Sequence, residues 1–187
     1  MCAGTPTQRW WAGDHGDINR PLGRVQNKCS NVGFLSMTEM SASVLWDGPG
    51  KSGRGRISSQ SGALLDYPFS AASRQGHEHP GSSPEELLGA AHAACFTLVF
   101  ALACDQAGWA LVTADTRALV RLNAHGAGSV IDRITLELDA TVPGLGEAQF
   151  QQLGREALRN CPLSRALAGV AEVILVATLN RPGATPR

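Results

Sequence analysis

The spacing of hydrophobic and polar positions changes several times along this chain, and each change marks an element. Residues 1–39, rich in Gly, Asn, Arg, Pro and Thr, follow neither a helical nor a strand period. Such a segment offers no apolar face to bury and is predicted to be a disordered extension. Regular patterning starts at Ser41. Residues 41–46 read as a strand, Asp47-Gly-Pro-Gly-Lys-Ser-Gly53 as a turn, and 54–60 and 63–67 as short strands broken by Ser61-Gly62, together an antiparallel meander. A polar loop over 70–82 carries Arg74, His77 and His79.

The next segment has a strong helix start: Ser83 as N-cap, Pro84 at the first helical position, and Glu86 three residues after the cap to complete a capping box. Leu87, Leu88, Ala91, Cys95, Leu98, Val99 and Leu102 then recur at helical spacing to about Gln106, with Gly108 as terminator. This predicts an inward face that includes Cys95. Residues 113–122 and 130–142 read as paired strands around Gly126 and Gly128, with Ile134, Leu136, Leu138 and Ala140 alternating against polar positions. Helical spacing returns over 146–159 through Phe150, Leu153, Ala157 and Leu158, and β-branched residues close the pattern at 173–179. The predicted order is β-β-α-β-β-α-β, an α+β fold with an antiparallel sheet packed on two helices. The expected organisation is one domain over 40–180, preceded by the 1–39 extension and followed by a tail at 181–187.

Charge narrows the partners. Sixteen basic and sixteen acidic residues cancel, and no stretch collects Lys or Arg around aromatics, so the footprint of a nucleic-acid binder is missing. The apolar stretches read as interrupted by Asp, Gln or Arg short of the roughly 20 residues that cross a bilayer, and the first residues lack a secretory pattern. The expectation is a soluble, cytoplasmic protein with no membrane partner.

Five cysteines, Cys2, Cys29, Cys95, Cys104 and Cys161, form neither CxxC pairs nor zinc-type spacings. No metal or cofactor is expected, and a disulfide in a reducing compartment would be transient and catalytic. A thiol attacks peroxide only as thiolate, and the sulfenic acid it becomes is protected when a second thiol condenses with it. Cys161 suits the second role. Pro162 is favoured at the start of a new helix over 163–167, which puts Cys161 at a helix N-terminus, where the dipole favours thiolate. Cys95 on periodicity alone reads equally as core filler. Cys104 reads as filler, and Cys2 and Cys29 as incidental to the tail.

Trp46-Asp-Gly, the Arg74 loop, Ser-Ser-Pro84-Glu-Glu-Leu-Leu-Gly-Ala-Ala-His-Ala-Ala-Cys95-Phe and Asn-Cys161-Pro-Leu-Ser resemble the OsmC/Ohr family of organic hydroperoxide peroxidases, in its OsmC branch. The resemblance covers roughly residues 40–180. It implies Cys95 as peroxidatic thiol, Cys161 as the thiol that resolves it, and an Arg–Glu ion pair that steers the thiolate. The glutamate falls on Glu85 and the arginine on Arg74, in a loop with few landmarks, with Arg54 and Arg56 as alternatives. A guanidinium suits the task because it is permanently charged and donates several hydrogen bonds. Glu85 and Cys95 lie ten residues apart, about 15 Å along one continuous helix, so one side chain cannot span them. The intertwined homodimer that the resemblance implies would bring the ion pair from the partner subunit.

His92, one turn before Cys95, is assigned to packing rather than to a Cys–His dyad. His77 and His79 are read as loop residues and not as a metal site. Leu88, Ala91, Phe96 and Val99 around Cys95 would favour alkyl hydroperoxides over hydrogen peroxide. The implied partners are an organic hydroperoxide and a dithiol reductant, whether a lipoylated protein, a thioredoxin or a small thiol, in oxidative or osmotic stress defence. The competing reading is a non-enzymatic domain of the same fold that binds a small apolar ligand or senses redox state.

Overall fold

The computed structural model describes residues 39–74, 81–126 and 128–180. The predicted extension through residue 38, with Cys2 and Cys29, the loop histidines His77 and His79, and the 181–187 tail lie outside the described residues.

Three short strands come first: β1 (Ala42–Asp47), β2 (Arg54–Ser59) and β3 (Tyr67–Ser70). They pair antiparallel in the order β1-β2-β3. The third strand lies after the 63–67 run that the pattern suggested, because residues 60–66 form turns and bends, with Asp66 at φ 48°. Phe69 lies over Gly55 on the neighbouring strand, where a Cβ would meet the ring at 1.8 Å, and tilts against Trp46 with centroids 5.3 Å apart. Glycine is required there by this close approach.

Helix α1 (Pro84–Gln106) starts as its cap predicts, with Ser83 Oγ accepting from the Glu86 amide at 3.1 Å. The Glu86 carboxylate accepts from the Ser82 hydroxyl at 3.0 Å instead of closing the capping box on Ser83. The buried stripe is Gly89, His92, Phe96, Phe100 and Cys104, rotated from the predicted face. Leu98 and Leu102 remain 62% and 49% exposed. Large aromatics at i and i+4 bury more area than the leucines beside them, so Phe96 and Phe100 decide which side faces the core. Residues 87–104 contain no Asp, Glu, Lys or Arg, so α1 is long and apolar enough to cross a membrane by length and composition, a correction to the reading of interrupted apolar runs. In this fold its aromatic stripe is covered by protein.

Strands β4 (Thr113–His125) and β5 (Gly128–Thr141) form the long hairpin, in register from Thr113↔Thr141 to His125↔Gly128 with an irregularity at Arg121/Leu122. Ile134, Leu136, Leu138 and Ala140 are buried as their alternation predicts. The chain then runs through α2 (Glu147–Asn160) and α3 (Pro162–Ala166) to β6 (Glu172–Asn180). Strand β6 pairs parallel to β5, which corrects the all-antiparallel expectation. A strand reached through a helical crossover returns in the direction of its neighbour.

Helix α1 seats on β4, where a Cβ at Gly89 would meet Val120 Cγ2 at 3.3 Å and Thr97 Oγ1 donates to Thr116 Oγ1 at 2.7 Å. It seats on α2 through Phe100, whose ring meets Phe150 edge-on at 5.7 Å. Phe96, Phe100 and Phe150 are all 0% exposed. Phe100→Ala should lower unfolding free energy by about 3–5 kcal/mol, the usual cost of truncating a buried aromatic, measured by urea denaturation.

Candidate active site

Helix α1 carries Cys95 on the border between its buried stripe and its open face, so the thiol is half-buried. Cys161 is the residue between α2 and α3. Its amide donates to the Ala157 carbonyl at 2.9 Å to end one helix, and its carbonyl accepts from Arg165 at 3.1 Å to begin the next. Pro162 enforces the break because it has no N–H to continue α2. Both thiols are free, and Cys161 Sγ lies 3.3 Å from Cys95 Sγ, 66 positions away in sequence.

The surroundings treat the two thiols differently. Burial raises the Cys95 thiol, and the hydrogen bond and charge of Cys161 raise it further, against the Leu163 amide. Burial also opposes ionisation of Cys161, but the Ser164 amide and hydroxyl, Cys95 and the Leu163 amide together draw that thiol below its ordinary value. Helix α3 has only five residues, so the effect comes from nearby N–H and O–H donors rather than a long macrodipole. Within one chain, the more acidic thiol is Cys161. Cys104 is fully buried and raised, first by burial and then by Asp105, consistent with filler.

Arg74 and Glu85 meet as predicted, in a two-pronged pair with Nε to Oε2 at 3.2 Å and Nη2 to Oε1 at 2.5 Å. Of the alternative arginines, Arg54 lines a cavity of about 410 Å³ with Lys51, Phe69 and Ser70, away from both cysteines, and Arg56 lies 4.0 Å from Asp66. The structure therefore gathers the four predicted residues as two pairs. Since α1 is continuous from Pro84 to Gln106, about 15 Å of helix separates Glu85 from Cys95.

His92 is fully buried, and its Nε2 lies 2.8 Å from Ser164 Oγ. It packs as expected, but its polar contact and the part of Ser164 beside Cys161 were not anticipated. The readable signal was the position of Ser164, in the first turn after the break, where side chains and amides face the cap residue. Of the predicted apolar lining, Leu88 and Val99 are half-buried and Ala91 is exposed on the Cys95 side. Phe96 belongs to the sealed core.

Residues 76–175 match the family model described as OsmC-like protein. The chain belongs to this family. It is 38% identical over 130 residues, 70% of this chain and 89% of the relative, to peroxiredoxin OsmC of Escherichia coli strain K12, and equally to that of Shigella flexneri. Among solved structures, the organic hydroperoxide resistance protein OsmC of Legionella pneumophila superposes with a TM-score of 0.60 at 23% identity, covering 77% of this chain and 99% of that one. The organic hydroperoxide resistance protein OhrB of Bacillus subtilis gives 0.53 at 25% identity, over 75% and 98%. The OsmC-like fold expected from the motifs is thus the fold of this chain.

Glu85 is held below its ordinary value near 4.5: burial alone would raise it, and the Arg74 hydrogen bond and charge, with a backbone amide, outweigh that. Because the folded value is the lower one, the pair stabilises the protein above pH about 4.5, and this contribution is lost as pH falls through the folded value. Arg74→Gln should therefore lower the urea midpoint at neutral pH, with the gap to the parent protein closing in acid. A constant gap across the titration would contradict this origin.

Proposed function

We propose that this chain is a cofactor-free thiol peroxidase that reduces organic hydroperoxides to alcohols. The observation that carries the reading is the 3.3 Å contact between Cys95 and Cys161 on separate elements. In the first step the Cys95 thiolate attacks the outer peroxide oxygen. The O–O bond breaks, an S–O bond forms, and the alkoxide takes a proton to leave as the alcohol. In the second step Cys161 displaces water from the Cys95 sulfenic acid to form the disulfide. A dithiol, whether a lipoylated protein, a thioredoxin or a small thiol, then returns both sulfurs to thiols and is itself oxidised to a disulfide. A transient disulfide of this kind fits a reducing, cytoplasmic compartment and stress defence. The name of the Escherichia coli relative, a peroxiredoxin, supports the same chemistry.

The raised Cys95 thiol calls for a cation, and among the described residues of one chain none figures among the influences on it. An intertwined homodimer answers this, with the Arg74–Glu85 pair of one subunit meeting Cys95 of the other. Support comes from the first sheet and its connecting turn, where Ile57 is buried while Val44 and Leu45 on β1 and Leu65 in the turn are 59%, 58% and 77% exposed. Three strands of four to six residues with so little covered apolar area lack the packing that an isolated sheet needs. Leu98 and Leu102 on α1, together with Val176 on β6, add further open apolar surface. The same raised thiol favours the second reading, a ligand-binding or redox-sensing domain without turnover.

Mass-spectrometric disulfide mapping after one equivalent of cumene hydroperoxide separates the two. The expected result is a rapid Cys95–Cys161 link, faster than with hydrogen peroxide, a Cys95 sulfenic acid that persists in Cys161→Ser, and no peroxide consumption by Cys95→Ser. Unreacted thiols would remove the peroxidase reading. Sedimentation should give twice the 19.6 kDa mass of the chain, and Arg74→Gln should slow the first step without preventing dimer formation. A monomer with full activity would contradict the shared site.

A further inference from the structure

The cavity beside Arg54 has no part in the peroxidase cycle. It holds about 410 Å³ where the turn after β1 meets the end of β3, within the size range of small-molecule sites. Its walls are fixed by the local chain. The Gly53 amide donates to the Pro49 carbonyl at 2.6 Å, and the Trp46 indole donates to the Gly48 carbonyl at 2.9 Å. A side chain at Gly53 would collide with the Asp47 and Pro49 carbonyls at 2.6 Å, and one at Gly55 with the Phe69 ring. The turn and β2 therefore close tightly against that ring, which forms an apolar wall of the cavity with Pro68 and Ala72.

Charge on the lining has one sign. Lys51 and Arg54 both border the cavity, and no Asp or Glu does. Among the described residues neither cation has an ion-pair partner, and Asp47, which stands opposite Arg54 in the β1–β2 register, forms no ion pair with it. Ser70 adds an uncommitted donor: its Oγ accepts from the Ser73 amide at 3.2 Å, and its own proton has no acceptor among the described residues. We propose that this cavity binds a small carboxylate carried on an apolar body. Lys51 and Arg54 hold the carboxylate, the Ser70 hydroxyl donates a further hydrogen bond to it, and the apolar body lies against Phe69. Inorganic phosphate would satisfy the cations and leave the wall uncovered, so it is the weaker ligand. Neither cysteine of the candidate active site lines the cavity, and the assignment rests on no step of the cycle. The residues offered above to a second subunit are different ones: Val44 and Leu45 lie farther along the sheet, opposite Ile57 and Arg56, and Leu65 lies in the turn at the far end of β2.

Titration of phenylacetate into nitrogen-labelled full-length protein, followed by NMR through the amides of Gly53, Gly55, Phe69 and Ser70 and the indole of Trp46, tests the assignment. Saturable shifts centred on these residues are expected. Lys51→Gln and Arg54→Gln should each weaken binding about three- to tenfold, between the effect of an exposed ion pair and that of a charge-assisted hydrogen bond. Phenethyl alcohol, which keeps the ring without the charge, and inorganic phosphate, which keeps charge without the ring, should both bind more weakly than phenylacetate. Both substituted side chains are exposed, and the same amide spectra report whether each variant is folded. Absence of saturable shifts, unchanged affinity in the protein carrying Lys51→Gln and Arg54→Gln together, or an alcohol or phosphate that binds as tightly as phenylacetate would overturn the proposal. Cys95→Ser should bind as the parent does, so the result stands apart from the fate of the peroxidase reading. Loss of binding in that variant would contradict a site separate from the thiols.

Discussion

Helix α1 is held between the long hairpin and α2 by three sealed aromatic rings, and the distance between the two sulfurs depends on that packing. Phe96 and Phe100 commit one face of α1 to the core, and Phe150 fixes α2 against it at 5.7 Å from Phe100. The end of α2 then determines where Pro162 breaks the chain and where the Cys161 sulfur comes to rest. Interiors packed this closely do not deform continuously. A 3.3 Å contact between residues 66 apart in sequence is therefore a consequence of core packing rather than of local chain geometry.

Electrostatics in the site follow from burial opposed by hydrogen-bond donors. Desolvation opposes ionisation of both thiols, and the difference between them is how far the first-turn donors of α3 offset it. Those donors serve Cys161, while Cys95 receives less compensation and also feels its neighbour. The division fits the two-step cycle proposed above, in which Cys161 would resolve and a cation from a second subunit would stabilise the attacking Cys95 thiolate. It also separates two demands that a single group of donors could not meet together, since two thiolates in contact repel.

The open apolar surfaces complete the same picture. The first sheet joins the rest of the chain at few points, among them the bridge between Phe69 and Ser82 and the Arg74–Glu85 pair at the head of α1. Its side chains lie largely in solvent when one chain stands alone. A segment so poorly covered gains stability by packing on another surface, and the exposed leucines of α1 offer one.

Much of this was legible in the sequence because it depends on neighbours along the chain. Ser83-Pro84 specifies a helix start through its own hydroxyl and fixed φ, Pro162 ends α2 for want of an N–H, and the alternation from Ile134 to Ala140 sets the buried face of β5. The motifs around Cys95 and Cys161 named the family, and the Arg74–Glu85 pair followed from it. The parallel pairing of β6, the rotation of α1 onto its phenylalanines, the failure of Glu86 to close its capping box and the contact of His92 with Ser164 were not legible. Each of these is a choice between competing partners far apart in sequence. Periodicity states that a residue has an apolar or polar need, whereas the partner that meets it is decided by which elements the folded core brings within a few ångströms.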